Sequence, residues 1–238
     1  MSYLLTAILS IIMSTPTINK PSLTYLVRQP KINIAKPPLL ILLHGVGSNE
    51  KDLFSFASHL PVKFLVISAR APIVLGQSSF AWYQVDFSTG KPVYNQAQEK
   101  ESRETILKFI DELKEHHSFD EKEIYLVGFS QGAIMSYSVA LTHPEKVKGI
   151  GILSGRLLEE IKPFIKTEKV SRVNVFISHG IQDPMLPVAY AEEASSYLKS
   201  LGVTANFKKY AEGHGINQEM LTDLVTWMNN EILSSIGK

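Results

Sequence analysis

The chain has 238 residues and a formal net charge of +1, with 45% hydrophobic and 20% charged residues. That length suits one α/β domain better than two, and the composition allows a sizeable buried core. A near-neutral charge with no basic stripe among aromatics excludes the electrostatic footprint of a nucleic-acid binder, which leaves a small uncharged or amphiphilic ligand as the expected partner. The absence of cysteine excludes a disulfide framework, thiol catalysis and thiolate metal sites.

In chain order, the segment 1–20, MSYLLTAILSIIMSTPTINK, comes first. Its apolar run from Tyr3 to Met13 is far shorter than the ~20 residues that cross a bilayer. No Lys or Arg precedes Lys20, so it fits a secretory signal poorly, and a start at Met13 is a second reading. A cytoplasmic protein is the expectation, with export after signal cleavage as the alternative. The remainder, 21–238, reads as one domain, since no repeat, low-complexity tract or long linker interrupts it.

LTYLVRQ (23–29) is a strand candidate, followed by the buried strands PPLLILLHG (37–45) and KFLVISA (63–69). ETILKFIDELKEH (104–116) sets Ile106, Ile110 and Leu113 at helical spacing. EIYLVG (123–128) is a strand, AIMSYSVAL (133–141) a helix, and VKGIGILSG (147–155) and NVFISHG (174–180) are strands again. AYAEEASSYLKSLG (189–202) ends on a glycine suited to a helix C-terminus. TANFKKY (204–210) is a strand candidate and INQEMLTDLVTWMNNEIL (216–233) a helix. Strands without half-exposed alternation, separated by helices, predict an α/β fold with a mostly parallel central sheet flanked by helices.

Between strand and helix stands Gly128-Phe129-Ser130-Gln131-Gly132, the G-x-S-x-G pattern of a nucleophile elbow. Such a turn strains the serine backbone and brings strand and helix so close that a β-carbon two residues to either side would collide. The Gln131 N–H, at the positive end of the helix, is placed to hold an oxyanion. A serine needs a base and a carboxylate, in the order Ser, Asp or Glu, His. Asp183, in GIQDPMLP after a strand, and His214, in AEGHGIN before the last helix, meet that order. Asp183 as a plain turn residue is the bland alternative. Asp223, Glu219 and Glu212 approach from the wrong side, and His116 and His117 sit in a charged run, KEHHSFDEKE. The strand-end His44 and His179 read as structural, satisfying loop carbonyls without titrating. The loop after the first buried strand should supply the second oxyanion donor, the Val46 N–H.

LLHGVGSNEKDL, RAPIVLGQSSFAWYQVDF, GFSQGAIM, SGRL, HGIQDPMLPV and EGHGI together resemble the phospholipase/carboxylesterase branch of the α/β-hydrolases, over roughly Pro38 to Trp227. The resemblance implies nucleophile Ser130, acid Asp183, base His214 and oxyanion donors Val46 and Gln131, in agreement with the residue-level reading. It implies hydrolysis of carboxylic esters or thioesters through an acyl-enzyme, with acyl-protein thioesterase or lysophospholipase activity as alternatives. AWYQVDF resembles the small esterases more than the protein thioesterases. A non-catalytic receptor on the same fold is the rival of another class.

Only RLLEEIKPFIKTEKVSRV stands where many hydrolases insert a cap, enough for about one helix at ~1.5 Å per residue. No cap domain is expected, and the site should be an open groove walled in part by apolar residues of the loop from Ile73 to Phe87, such as Trp82, and by Met185 and Leu186, favouring short or medium acyl chains. Trp82 and Tyr83 as plain core is the competing reading. No cofactor and no metal are expected: GVGSNE lacks the third glycine of the dinucleotide fingerprint, and no H-E-x-x-H is present. A homodimer stays open.

Overall fold

The computed structural model describes residues 20–86, 88 and 93–236; the apolar run 3–13 lies outside them. Strands β1 (Tyr25–Arg28) and β2 (Leu39–Leu43), a short α1 (Lys51–Phe54) and β3 (Leu65–Ala69) come first. Two hairpins follow, β4 (Ile73–Gly76) with β5 (Ser79–Ala81), and β6 (Val85–Asp86) with β7 (Val93–Tyr94). Then come α2 (Gln96–His116), β8 (Ile124–Phe129), α3 (Gln131–Thr142), β9 (Gly149–Leu153), β10 (Asn174–Gly180), α4 (Ala189–Ser200), β11 (Asn206–Tyr210) and α5 (Gln218–Ile236).

The main sheet has seven strands in the order β1-β3-β2-β8-β9-β10-β11. Edge strand β1 runs antiparallel to β3, and every other neighbouring pair is parallel. The run LLILL explains why the sheet is covered on both faces. Leu39, Ile41 and Leu43 point into the core formed with α2, α3 and α4, through residues such as Phe109, Tyr137 and Leu198. Leu40 and Leu42 point into the opposite core, closed by Leu53 of α1 and by Leu224, Trp227 and Met228 of α5. Burying each such side chain stabilises the fold by about 1.5–3 kcal/mol.

Two expectations need correction. The helix predicted from residue 104 begins at Gln96, where the Asn95 side chain accepts the Gln98 N–H at 3.1 Å and caps the first turn. Its opening residues are polar, which hid them from a periodicity argument. The segment after β9 forms no α-helix but two 3₁₀ turns, Glu159–Phe164 and Val170–Arg172. Pro163 inside the first has no N–H to extend an α-helical ladder. Nothing in these turns amounts to a cap domain. Among the described residues no helix is long and apolar enough to cross a membrane.

Candidate active site

From β2 the chain passes outward to β3, then returns across the sheet to β8 on the other side of β2. This reversal opens a crevice at the carboxyl ends of β2 and β8, the place where open α/β sheets bind ligands. Ser130 stands there, between β8 and α3, with φ 52° and ψ −115°. A non-glycine residue at positive φ stores about 1–3 kcal/mol of strain. The neighbouring strand helps to hold it, because the Ser130 N–H donates to the Leu153 carbonyl at 2.9 Å. A β-carbon at Gly128 would lie 2.2 Å from the Gly132 backbone, and one at Gly132 would lie 1.9 Å from the Leu43 carbonyl oxygen. The first glycine therefore lets the helix fold back over its own strand, and the second lets the helix sit against the end of β2.

His214 Nε2 lies 2.9 Å from Ser130 Oγ, and His214 Nδ1 lies 2.7 Å from Asp183 Oδ2. The other carboxylate oxygen of Asp183 accepts the N–H groups of Met185 (2.8 Å) and Leu186 (2.9 Å). Burial alone would raise the Asp183 carboxyl. The Leu186 N–H, His214 and the Met185 N–H outweigh that and hold it below the usual carboxylate value. Beneath it His179, wholly buried, donates from Nε2 to the Leu186 carbonyl (2.7 Å) and stands 3.3 Å from Asp183 Oδ2. It props the loop that carries Asp183. The loops of Asp183 and His214 are joined by their backbones, since Ile181 N–H donates to Tyr210 O (2.9 Å) and Gln182 N–H to Glu212 O (3.0 Å). The Phe129 ring, 5.0 Å from the His214 ring, backs the imidazole.

On the other side of the serine, Ala71 N–H donates to His44 Nε2 at 3.0 Å, which makes that nitrogen an acceptor. The proton must then be on Nδ1, which donates to the Gly45 carbonyl at 2.7 Å. Burial pushes the His44 pKa down, consistent with a neutral ring. Gly45 O and Val46 N–H belong to one planar trans peptide and point in opposite directions, so a histidine anchoring the carbonyl turns the Val46 N–H the other way. A β-carbon on Gly45 would touch Ser130 Cβ at 3.4 Å, so this peptide lies against the serine. Gln131 is the first residue of α3, and its N–H has no intrahelical partner.

Other expected residues are placed differently. Trp82 is not a groove wall: it is wholly buried, its indole N–H donates to His44 O at 2.9 Å, and Ser102 Oγ donates to its carbonyl. Tyr83 is core as well. Both are clamped by Gln131, whose side chain accepts the Trp82 N–H (2.8 Å) and donates to Tyr83 O (2.7 Å). Met185 is 63% exposed and Leu186 half-buried, both beside Asp183. The discarded carboxylates are engaged elsewhere: Asp223 accepts from Tyr210 OH (2.7 Å) and pairs with Lys208 (2.8 Å), and Glu212 accepts the Gly213 N–H. Among the described residues no group of three His, Asp or Glu is arranged to hold a metal ion. Near the serine, a cavity of about 650 Å³ is bounded by Val46, Leu75, Tyr83, Val85, Val93 and Tyr94. Leu75 belongs to the 73–87 loop whose apolar residues were expected to wall the groove, whereas sequence reasoning missed Val93, whose exposure is visible only once the second hairpin has formed.

A covered, mostly parallel sheet with a strained serine at its switch point, hydrogen-bonded through histidine to aspartate, defines an α/β-hydrolase. The sequence pattern of the phospholipase/carboxylesterase family matches residues 30–232, and the chain belongs to that family. It is a hydrolase of the ester- and thioester-cleaving type. The chain is 28% identical over 224 residues to a probable SOBER1-like carboxylesterase of Arabidopsis thaliana, covering 82% of this chain and 79% of that one. To acyl-protein thioesterase 1 of Kluyveromyces lactis it is 27% identical over 210 residues, covering 82% and 92%. Its fold is similar to that of the Bacillus cereus carboxylesterase, with a TM-score of 0.75 at 21% identity, covering 88% of this chain and 95% of that one.

Proposed function

We propose that the protein is a serine carboxylesterase acting on short- to medium-chain esters or thioesters, with Ser130, His214 and Asp183 as its catalytic triad. One observation carries this: the unbroken hydrogen-bonded chain from Asp183 Oδ2 through the imidazole to Ser130 Oγ. His214 Nε2 takes the Ser130 proton as Oγ attacks the carbonyl carbon, and Asp183 fixes the tautomer and stabilises the imidazolium. The carbonyl oxygen becomes an oxyanion held by the Val46 and Gln131 N–H groups. His214 then returns the proton to the leaving alcohol or thiol, which leaves an acyl-serine. Water, deprotonated by His214, attacks this ester; the bond from the acyl carbon to Ser130 Oγ breaks, His214 returns the proton to Oγ, and the acid departs.

Two 3₁₀ turns in place of a cap, together with exposed Met185 at the rim, support an open groove and acyl chains of modest length. The bounding side chains of the cavity beside Val46, rather than Trp82, are read as the acyl surface. Residues 21–238 are read as one domain, supported by a single main sheet whose strands run from Tyr25 to Tyr210. Labelling with a fluorophosphonate and turnover of aryl esters test the assignment. Both should be present in the native protein and lost in Ser130→Ala. An unlabelled, correctly folded native protein would instead favour a non-catalytic receptor on this fold.

A further inference from the structure

Strand β9 lies between β8, which delivers Ser130, and β10, which leads to Asp183. The loop leaving β9 therefore emerges between the nucleophile and its acid. Its first residues are held in place: Ser154, at φ 50°, donates its N–H to Ser178 O (2.9 Å). A β-carbon on Gly155 would lie 2.5 Å from Ala133 Cβ, in the first turn of α3. The next residue is Arg156. It is half-buried, and its guanidinium carbon lies 6.0 Å from the Tyr94 ring centroid and 5.5 Å from that of Tyr190. Its Nε is buried without an acceptor, and among the described residues no carboxylate stands within ion-pair distance of it.

A guanidinium keeps its charge at any pH a protein meets, so it cannot escape desolvation by losing a proton. Leaving a buried donor of that kind without an acceptor is costly. The side chain also faces space, since with Tyr94, Tyr190 and Tyr197 it lines a cavity of about 450 Å³. Tyr94 borders this cavity on one side and the Val46 cavity on the other, so the two adjoin at that ring. The aromatic rings flank the guanidinium, and its two terminal nitrogens, neither buried nor hydrogen-bonded among the described residues, are left to grip a carboxylate with two parallel hydrogen bonds.

We propose that Arg156 is a specificity residue that binds a carboxylate carried by the ester substrate, a few bonds from the scissile carbonyl. The inference rests on the esterase reading above and names its substrate class: half-esters of dicarboxylic acids, or esters of hydroxy acids. Three glutamates share the cavity, all of them exposed. Glu159 is paired with Lys162 at 2.6 Å, Glu160 is exposed but engages the Tyr94 hydroxyl, and Glu193 is exposed. They disfavour a dianion such as a phosphate monoester while leaving room for one carboxylate at the inner, half-buried cation. Such a substrate, with one charge and an apolar chain, is the amphiphilic form of the ligand that composition suggests.

The test compares kcat/KM on matched alkyl esters, chosen because an aryl half-ester would cleave itself through its own carboxylate. Monoethyl glutarate against ethyl pentanoate places the charge on the acyl side. The pentanoate ester of 3-hydroxypropanoate against propyl pentanoate places it on the alcohol side. In one of the two pairs the native protein should prefer the charged member by about 10- to 100-fold, as for a charge-assisted hydrogen bond. Arg156→Gln should abolish that ratio, and Arg156→Lys, which keeps the charge without the fork, should restore part of it. The ratio is internal to each variant, so a loss of stability does not mimic the effect. No preference in either pair, or a preference that survives Arg156→Gln, overturns the proposal. Failure of the native protein to cleave any of the four esters would count against the esterase reading instead.

Discussion

Gly180→Ala tests whether the base is positioned by backbone contact rather than by its own hydrogen bonds. Gly180 ends β10, and a β-carbon there would lie 2.3 Å from both the Glu212 and the Gly213 carbonyl oxygens, inside the 3.0 Å that real β-carbons respect. Relief requires the 212–213 backbone to retreat by roughly 1 Å, and His214 is the next residue. The Gln182 N–H to Glu212 O bond, now 3.0 Å, would stretch with it. The imidazole has hydrogen bonds of 2.9 Å to Ser130 and 2.7 Å to Asp183 and cannot keep both after such a shift. A misplacement of about 1 Å costs on the order of 10²-fold in rate, which corresponds to about 2.7 kcal/mol of barrier. The assay is kcat/KM on a short-chain ester beside a thermal melt, in buffer where the native protein is well folded. Turnover within about threefold of the native value, a difference worth less than 1 kcal/mol of barrier, would refute the reasoning. It would mean that the loop relaxes without moving the base.

In Asp183→Asn the Met185 and Leu186 N–H groups hold the amide oxygen where Oδ1 now sits, so the NH₂ group faces His214 Nδ1. That forces the proton onto Nε2 and turns a donor toward Ser130. The expected loss is about 10⁴-fold in kcat, measured in parallel with a melt, and a loss under about tenfold would remove Asp183 from its assigned role. Stability should also depend on mild acid. Burial holds the His44, His117 and His143 rings below their ordinary value near 6.5. A ring with a depressed folded pKa contributes stability that is present above the unfolded pKa and lost as pH falls. The urea midpoint should therefore decline as pH drops below about 6.5. A midpoint unchanged down to pH ~5 would mean that these rings charge freely in the folded state.

The serine turn was legible because the conflicts that demand its glycines arise within five consecutive residues and the strand beside them. Asp183 and His214 were legible by order and by strand ends, since chain order in this fold dictates which loops reach the switch point. Trp82 was open to two readings, because its burial depends on the His44 carbonyl and the Gln131 side chain, which lie 38 and 49 residues away. His44 was read as a ring satisfying loop carbonyls, and it does bond Gly45 O. What the sequence could not convey is that His44 bonds this carbonyl, whose peptide also carries the Val46 N–H, so that a structural hydrogen bond sets the direction of the N–H proposed as an oxyanion donor. Gly180 was read only as the end of a strand, for its steric partner is a loop more than thirty positions downstream. The division is physical. Strain generated within one turn leaves a short motif, whereas a clash or hydrogen bond between the ends of different strands leaves a single glycine or histidine whose meaning depends on which strands become neighbours. Order β2-β8-β9-β10-β11 supplies that missing information, because it sets the loops of residues 44–46, 130–131, 154–156, 180–183 and 212–214 side by side at one end of the sheet.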